Sequence, residues 1–436
     1  MKVLVVGAGL GGLACAIACK REGLEVVVLE RANRIVPIGA GIQVPPNGTR
    51  IARQLGYLDK LLERGVLIDK MELRRYANGK HLFSLSAKEC MEQYGDLWMV
   101  CHRADCHAAL WETCMSLGVD LCLDMDVERI DFDTNTVWLE DGDDISGDVI
   151  IGADGGYDAD MRDHRFANIE QLLGTPSPAV ETGDLAYRVS FPAEQLKTLN
   201  DEAVDELCSR KQVTVWVGPQ KHTVFYPVRC GKEFNLVLIR PDNMAPGQRH
   251  IEGDVGEMRQ NYEGWDETLT KLISCIPRVQ KWKLCTHPEL KTWTKGCVAL
   301  LGDSCHPSLP YQAQGAAMAV EDGAVLGKLL GLLNASSNGR TPSELIPEVL
   351  QLYETLRKSR TTVNVQGARS NQKWYQIPDG PEQEARDAEM AGAMLDDGLS
   401  PTGWQWIDPE YQKELLGHDV VTEAVKAFGE WESARA

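Results

Sequence analysis

The chain has 436 residues, 43% of them hydrophobic and 25% charged, the composition of an ordinary globular protein with more chain than one simple core uses. A formal net charge of −19 at pH 7 argues against a nucleic-acid surface, and no run reaches the ~20 apolar residues of a membrane span. The thirteen cysteines include no Cys-x-x-Cys pair, so they form neither a metal nor a disulfide pattern, and reduced thiols in a cytoplasmic setting are expected.

The first apolar run, Val3-Leu4-Val5-Val6, feeds directly into Gly7-Ala8-Gly9-Leu10-Gly11-Gly12. An Ala/Leu/Cys-rich helix over Leu13 to Arg21 follows, then a second run, Val26-Val27-Val28-Leu29, that ends at Glu30. Strand, glycines, helix, strand and terminal carboxylate together make a dinucleotide-binding βαβ unit. Gly7 permits the sharp turn, Gly9 lets the backbone approach a pyrophosphate, and Gly12 lets helix and strand pack closely. The pyrophosphate then lies on a helix N-terminus, and Glu30 accepts from a ribose diol, which argues against a 2′-phosphate. Lys2 and the apolar run also resemble the start of a secretory signal, but no small-residue cleavage site follows.

Further along, Val149-Ile150-Ile151 reads as a buried strand entering the turn Gly152-Ala153-Asp154-Gly155-Gly156. Residues 213–217, 223–226 and 235–239 alternate in polarity between Gly/Pro turns, which predicts antiparallel strands. Val298-Ala299-Leu300-Leu301 then leads into Gly302-Asp303-Ser304-Cys305-His306-Pro307, and through Leu309-Pro310-Tyr311-Gln312-Ala313-Gln314-Gly315 into an alanine-rich helix. Helical spacing covers 321–334 and 343–371, interrupted by Ser336-Ser337-Asn338-Gly339. His306 reads as a residue of local loop bonding rather than a catalytic one.

These segments together resemble the FAD-dependent aromatic-ring monooxygenases, the single-component flavoprotein hydroxylases related to salicylate hydroxylase and para-hydroxybenzoate hydroxylase. The Asp154-Gly155 and Gly302-Asp303 segments are similar to two nucleotide motifs of that family. Gly39 to Asn47 resembles its loop after the second strand, and Cys101-His102-Arg103-Ala104-Asp105 its Arg-containing flavin segment. Ala186-Tyr187-Arg188, Phe225-Tyr226-Pro227-Val228 and Tyr353-Glu354-x-x-Arg357 match too. Asp379-Gly380-Pro381 and Leu416-Gly417-His418-Asp419 are similar to fungal salicylate-hydroxylase-like members, so the likeness spans essentially the whole chain. One departure stands out: Asp158 occupies a Ser-like position of the Asp-Gly motif, and Arg162 lies one residue late.

The resemblance implies an α/β fold: a Rossmann-like FAD-binding domain of the para-hydroxybenzoate hydroxylase type from 1–75, 97–175 and 285–342. It further implies an inserted antiparallel-sheet substrate domain from 76–96 and 176–284, and a C-terminal helical segment over 343–436. Gly7, Gly9, Gly12, Glu30 and Arg31 are then expected to bind the ADP half of FAD. Arg103 faces the diphosphate or ribityl region, Asp303 the ribityl chain, and Asp154 supports the cofactor. Pro310 lies close to the isoalloxazine, and Gly315 opens a helix aimed at the pyrimidine edge, where the helix dipole favours the anionic reduced flavin. The family's second cofactor, NADH or NADPH, visits transiently, which suits a chain with one glycine fingerprint.

The implied reaction uses NAD(P)H to reduce FAD and O2 to form a flavin C4a-hydroperoxide, whose distal oxygen is attacked by an electron-rich, typically phenolic, ring. Candidates for handling that ring are Arg188, Tyr226, His222 and Gln43. His222 and Tyr226, four apart, share a face if both lie on one strand. Each has an ordinary reading as well: Arg188 in a surface ion pair, Tyr226 as a half-buried sheet tyrosine, His222 as an exposed turn residue. Gln43 stands where the 6-hydroxynicotinate branch carries a histidine, which argues against that substrate. The partner is a small aromatic molecule, and the chain is expected to be a monomer or homodimer. The same flavin chemistry on an alkene, an indole or a dearomatised natural product is the alternative within enzymes, and a non-catalytic binding protein on the same fold is the alternative outside them. Trp404-Gln405-Trp406-Ile407-Asp408-Pro409 resembles a halogenase motif but carries Asp408 within it and lies near the end of the chain.

Overall fold

A computed structural model of the chain describes residues 1–36, 39–155, 172, 174, 179–336, 342–393 and 403–435. Asp158, Arg162 and the Ser337-Asn338-Gly339 break lie outside the described residues.

Lys2–Val6 sits inside a six-stranded sheet in the order Thr294–Lys295, Val298–Leu300, Val149–Gly152, Lys2–Val6, Glu25–Glu30, Asp120–Leu123. Every pairing is parallel except that of the short edge strand Thr294–Lys295. The three central strands read as unbroken apolar runs because helices cover both of their faces. Residues separated by almost three hundred positions, Val3 and Val298, thus lie one strand apart, each paired to Val149–Gly152. The nucleotide lobe closes only when the last of these segments arrives.

Helix Leu10–Arg21 packs on helix Gly315–Ala335 at close quarters. A Cβ on Gly323, Gly327 or Gly331 would come within 2.5 Å of Cys15 N, 2.4 Å of the Ala18 Cβ and 2.4 Å of the Glu22 Cβ respectively. Three glycines spaced by four form a smooth stripe along one helix face, and nothing larger fits there.

The second lobe is an eight-stranded sheet in the order His250–Gly253, Val279–Thr286, Val180–Pro192, Glu233–Pro241, Lys221–Val228, Gln212–Gly218, Lys70–Arg75, His81–Ser86. The three antiparallel strands expected near its centre are present, and only Gln212–Gly218 and Lys70–Arg75 pair in parallel. Tyr187, Trp216, Phe225 and Phe234 form its outer core beneath short helices. The inner face turns toward the nucleotide lobe. By strand pairing, Lys70–Arg75 goes with this sheet, although the boundary expected after residue 75 leaves it in the nucleotide lobe. The boundary expected at 284/285 likewise falls inside strand Val279–Thr286. Gly39 to Asn47, expected as a loop, includes strand Gly41–Val44, which pairs with Met99–His102, and the start of helix Pro46–Gln54.

The C-terminal stretch is not a separate segment. Trp404, Trp406, Tyr411 and Leu415 pack into the core of the large sheet, whereas Val420, Ala424 and Phe428 pack on the nucleotide lobe. Helix Pro342–Tyr375 bridges the two.

A buried ionic cluster fixes this bridge. Arg357 donates from Nε to Asp322 Oδ1 (2.6 Å) and from Nη2 to Glu321 Oε2 (2.7 Å), while Arg360 Nη2 donates to Glu321 Oε1 (2.9 Å). Asp322 Oδ2 also accepts from the Gly302 amide (3.0 Å) and lies 2.6 Å from His306 Nε2, and Asn47 Nδ2 donates to Glu321 Oε1 (2.9 Å). Tyr353, one helical turn before Arg357, donates to Leu300 O at 3.0 Å. The Tyr353…Arg357 motif is therefore structural: it clamps the flavin-loop helix and the Gly302 turn to the long helix. Burial alone would raise the Glu321 carboxyl, but the two guanidiniums beside it pull it down to about 2.

Removing one member leaves buried charge uncompensated, so Arg357→Met is expected to destabilise the fold by about 3–5 kcal/mol, read from chemical denaturation at pH 7. Because the Glu321 carboxyl lies below its unfolded value, its contribution is present above ~pH 4.5 and declines as pH falls toward 2.

Candidate cofactor and substrate site

Gly7 has φ +107°, and a Cβ there would lie 2.5 Å from Ala153 O, so the turn and the close approach of strand Val149–Gly152 both require glycine. A Cβ on Gly12 would sit 2.1 Å from Gly7 O. Gly9 differs: the nearest atom to an added Cβ is 3.8 Å away, so its missing side chain serves the open groove rather than packing. Gly9 is also the N-cap of helix Leu10–Arg21, with no side-chain cap and no acidic residue in the first turn. The helix thus presents free amides to an anion.

Glu30 accepts from the Ala8 amide at 2.9 Å and the Ala32 amide at 3.0 Å, one per carboxylate oxygen, which fixes the carboxylate at the strand end with lone pairs to spare. Arg31 follows it, half-buried. His107 Nε2 lies 2.7 Å from Ala8 O and braces the same turn.

On the far side, Ser304 Oγ donates to Asp154 Oδ1 (3.1 Å) and accepts from the Gly155 amide (3.0 Å), so the two Asp-containing motifs are tied to each other. Asp303 opens onto the groove yet is surrounded by protein mass, and burial pushes its carboxyl up, partly offset by the charges of His306 and Arg103. Arg103 begins helix Arg103–Ser116 and packs under Gly39. Pro310 starts a single helical turn, Pro310–Gln312, and Ala313 at φ +57° redirects the chain into helix Gly315–Ala335. That helix also begins without a side-chain cap or a first-turn acid. Two uncapped helix N-termini, a carboxylate fixed at the strand end and a glycine turn border a groove that suits FAD.

The inner face of the large sheet carries the other candidates. Arg188 and Tyr226 lie on strands flanking Glu233–Pro241, paired with Val237 and Asn235, so both side chains leave from one face. Arg188 has no carboxylate partner or hydrogen bond among the described residues, and its Cζ lies 5.9 Å from the Trp282 ring centroid. The surface ion-pair reading therefore fails for it. Burial depresses its guanidinium below the usual range. Tyr226 is 4% exposed, not half-buried; burial holds its phenol well above 10, and Arg188 beside it partly offsets that.

His222 is a fully buried strand residue, not a turn residue, between the rings of Tyr311 and Tyr375 at 5.1 and 5.2 Å. Its neighbour Gln376 reaches Nδ1 at 3.4 Å through Nε2, the same atom that donates to Asp184 Oδ2 at 3.2 Å. Asp184 Oδ2 also receives Tyr311 Oη and Gln372 Nε2, each at 2.6 Å. A carboxylate with three donors fixes the Gln376 amide orientation, so Nδ1 accepts and the neutral ring carries its proton on Nε2. Burial lowers the imidazole to about 3. His222 is a neutral donor, not a base.

Gln43, His222, Pro310, Tyr311, Trp98 and Trp406 help to line a narrow cavity of about 30 Å3 on this face. Tyr226 lies nearer Gly41, whose absent Cβ would meet the Tyr226 ring at 2.5 Å. Trp98 and Trp406, which line the cavity, and Asp184 and Gln376, which bond the residues that do, were not singled out from sequence. Asp184 is recoverable from strand parity with Arg188, whereas the tail tryptophans carry no local signal of where they pack.

The family described as FAD binding domain matches residues 1–169 and 174–368. The chain belongs to that family. FAD-dependent monooxygenase OpS4 of Beauveria bassiana (strain ARSEF 2860) is 38% identical over 432 residues, covering 98% of this chain and 97% of that protein. 3-Hydroxybenzoate 6-hydroxylase 1 of Aquipseudomonas alcaligenes is 32% identical over 423 residues, with 95% and 98% covered. Among solved structures, HpxO of Klebsiella pneumoniae complexed with FAD and uric acid superimposes with TM-score 0.77 at 25% identity, covering 96% of this chain and 98% of that one. A salicylate hydroxylase substrate complex shares the fold, with TM-score 0.77 at 22% identity and 98% of each chain covered.

Gly9→Ala is expected to fold with near-normal stability but to purify with little FAD, whereas Gly12→Ala clashes with backbone and loses stability; flavin absorbance per protein and thermal melting separate the two. A second expectation concerns pH. The unfolded chain protonates His222 near 6.5 and the folded one only near 3, so this group lowers stability as pH falls through that window, by up to about 1.4 kcal/mol per unit. His222→Gln is expected to flatten the acid side of the stability profile, measured by denaturation between pH 7 and 5.

Proposed function

We propose that the chain inserts one oxygen atom of O2 into a small, electron-rich, phenolic ring, as an FAD-dependent monooxygenase that takes its electrons from NADH or NADPH. When bound, FAD supplies acceptance of the hydride and activation of dioxygen. The chain's own residues hold the ring, enrich it in electrons and keep water out.

One observation carries this reading. A half-buried guanidinium without a counter-ion, Arg188, and a buried tyrosine hydroxyl without a hydrogen-bond partner, Tyr226, share a sheet face among the described residues, beside a groove that suits a dinucleotide. A partly desolvated cation with no counter-ion is positioned to meet an anion. A phenolate fits that role, and forming one raises ring electron density. Arg188 stabilises the developing negative charge, Tyr226 donates to the same oxygen, and His222 contributes an uncharged N–H at the cavity wall. Arg103 and Asp303 sit on the cofactor side, Asp154 supports the loop between them, and Pro310 sets the loop that leads to Gly315. All thirteen cysteines are free thiols, which supports a reducing, cytoplasmic setting.

The test is NAD(P)H oxidation by the FAD-loaded protein against phenols, hydroxybenzoates, pyridinols and indoles, with mass spectrometry for a product one oxygen heavier. Arg188→Met and Tyr226→Phe are expected to keep wild-type FAD content while product formed per NAD(P)H consumed drops about fivefold or more. Unchanged coupling in both variants removes this pair from the site, and absence of any oxygenated product across the panel removes the reading.

A further inference from the structure

Strand Val180–Pro192, the loop Pro310–Gln312 and the end of helix Pro342–Tyr375 meet at one carboxylate oxygen. Asp184 Oδ2 accepts from Tyr311 Oη at 2.6 Å, from Gln372 Nε2 at 2.6 Å and from Gln376 Nε2 at 3.2 Å. Asp184 is 5% exposed, and its side-chain partners among the described residues are all uncharged. It follows Gly183, at φ +86°, where the pairing with strand Val279–Thr286 shifts register between Glu181 and Leu185.

Each donor is itself fastened. Gln372 and Gln376 are four apart, so their amides leave one side of the helix end. The Gln376 carbonyl accepts from the Gln220 amide at 3.0 Å, in the hairpin that leads into His222. The Tyr311 carbonyl accepts from Asn371 Nδ2 at 3.1 Å, so Tyr311 is held by its backbone as well as by its hydroxyl.

A carboxylate offers lone pairs and no proton, whereas an asparagine at the same place could present either end. A buried anion met only by neutral donors also carries a larger desolvation cost than an amide. What the acid secures is direction. All three donors must point at Asp184, and the second N–H of Gln376 is left for His222 Nδ1, 3.4 Å from Gln376 Nε2. The imidazole proton is thereby confined to Nε2. The same oxygen holds Tyr311, next to Pro310 in the turn that precedes helix Gly315–Ala335.

We infer that Asp184 is a positioning residue for the oxygenation, one carboxylate that registers the cofactor loop through Tyr311 and sets the His222 tautomer through Gln376. This rests on the aromatic-monooxygenase reading, within which it keeps His222 a donor at Nε2.

The test labels histidine with nitrogen-15 in the FAD-loaded protein and reads the His222 ring nitrogens by NMR at pH 7, with His222→Gln identifying the signals. The wild type is expected to carry its ring proton on Nε2 alone. Gln376→Glu cannot donate to Asp184 and to Nδ1 at once, and is expected to leave Nδ1 protonated while product formed per NAD(P)H consumed falls about threefold or more. Tyr311→Phe is expected to keep the wild-type tautomer but to alter the visible circular dichroism of the flavin, with a similar loss of coupling. Asp184→Leu is expected to lose both arms, with mixed tautomers, altered flavin dichroism and coupling down about tenfold. If Asp184→Leu does not load FAD, the two partner variants decide. A proton on Nδ1 in the wild type, a Gln376→Glu ring unchanged from wild type, or full coupling in Asp184→Leu or in both partner variants overturns the proposal. The tautomer needs no turnover, so the two readings fail separately. Absence of any oxygenated phenol from the wild type counts against the aromatic-monooxygenase reading, whereas wild-type oxygenation with Nδ1 protonated counts against the role of Asp184 alone.

Discussion

Two adjacent acids on one helix, Glu321 and Asp322, meet two arginines one turn apart on another, Arg357 and Arg360, with almost no water in reach. The site is arranged around this cluster. Asp322 also accepts from the Gly302 amide, so the turn that presents Asp303 to the cofactor groove is held by the same carboxylate that neutralises Arg357. Asn47 and Gln314 extend the network to the start of the flavin-loop helix. Such a cluster is weak evidence for stability compared with an apolar core of equal volume. Its value lies in geometry: charge pairs this buried tolerate few alternative arrangements, so the helix N-terminus at Gly315 has one position.

The two lobes divide the chemistry cleanly. Parallel strands with glycine turns and uncapped helices make a surface for phosphates and a flavin ring, and contribute little that recognises a substrate. The large sheet contributes a cation without a carboxylate partner among the described residues, a tyrosine hydroxyl and a neutral imidazole, all on one face. An FAD-dependent aromatic monooxygenase needs both within reach of one another. The loop Pro310–Gln312 is where they meet, since Pro310 and Tyr311 line the narrow cavity while Tyr311 Oη reaches across to Asp184 on the sheet.

Much of this architecture was legible in the amino-acid order, for local reasons. Glycine at Gly7 and Gly12 is forced by a positive φ and by contact with backbone, and buried parallel strands leave apolar runs that no solvent-exposed segment has. Strand parity placed His222 and Tyr226 on one face. What escaped depends on contacts between distant segments. Nothing near Trp404 or Trp406 announces that they pack against a sheet whose strands begin at Lys70, and nothing near Lys70 announces a parallel partner at Gln212. At Lys70 the strand pairing therefore runs differently from the boundary expected after residue 75. The alternative reading of His222 as an exposed turn residue rests on its nearness to Gly218 and Lys221, and gives way because Tyr311 and Tyr375, from other parts of the chain, bury it.

The glycine stripe at Gly323, Gly327 and Gly331 carries an implication for how such proteins diverge. Its contact welds the helices that serve the two ends of the cofactor into one unit, so substitutions there disturb flavin placement as a whole. The tryptophan-bearing turn Gln405–Ile407 packs instead in the core of the large sheet. Changes confined to that turn therefore remodel the sheet core while the contact between the two helices stays as it is.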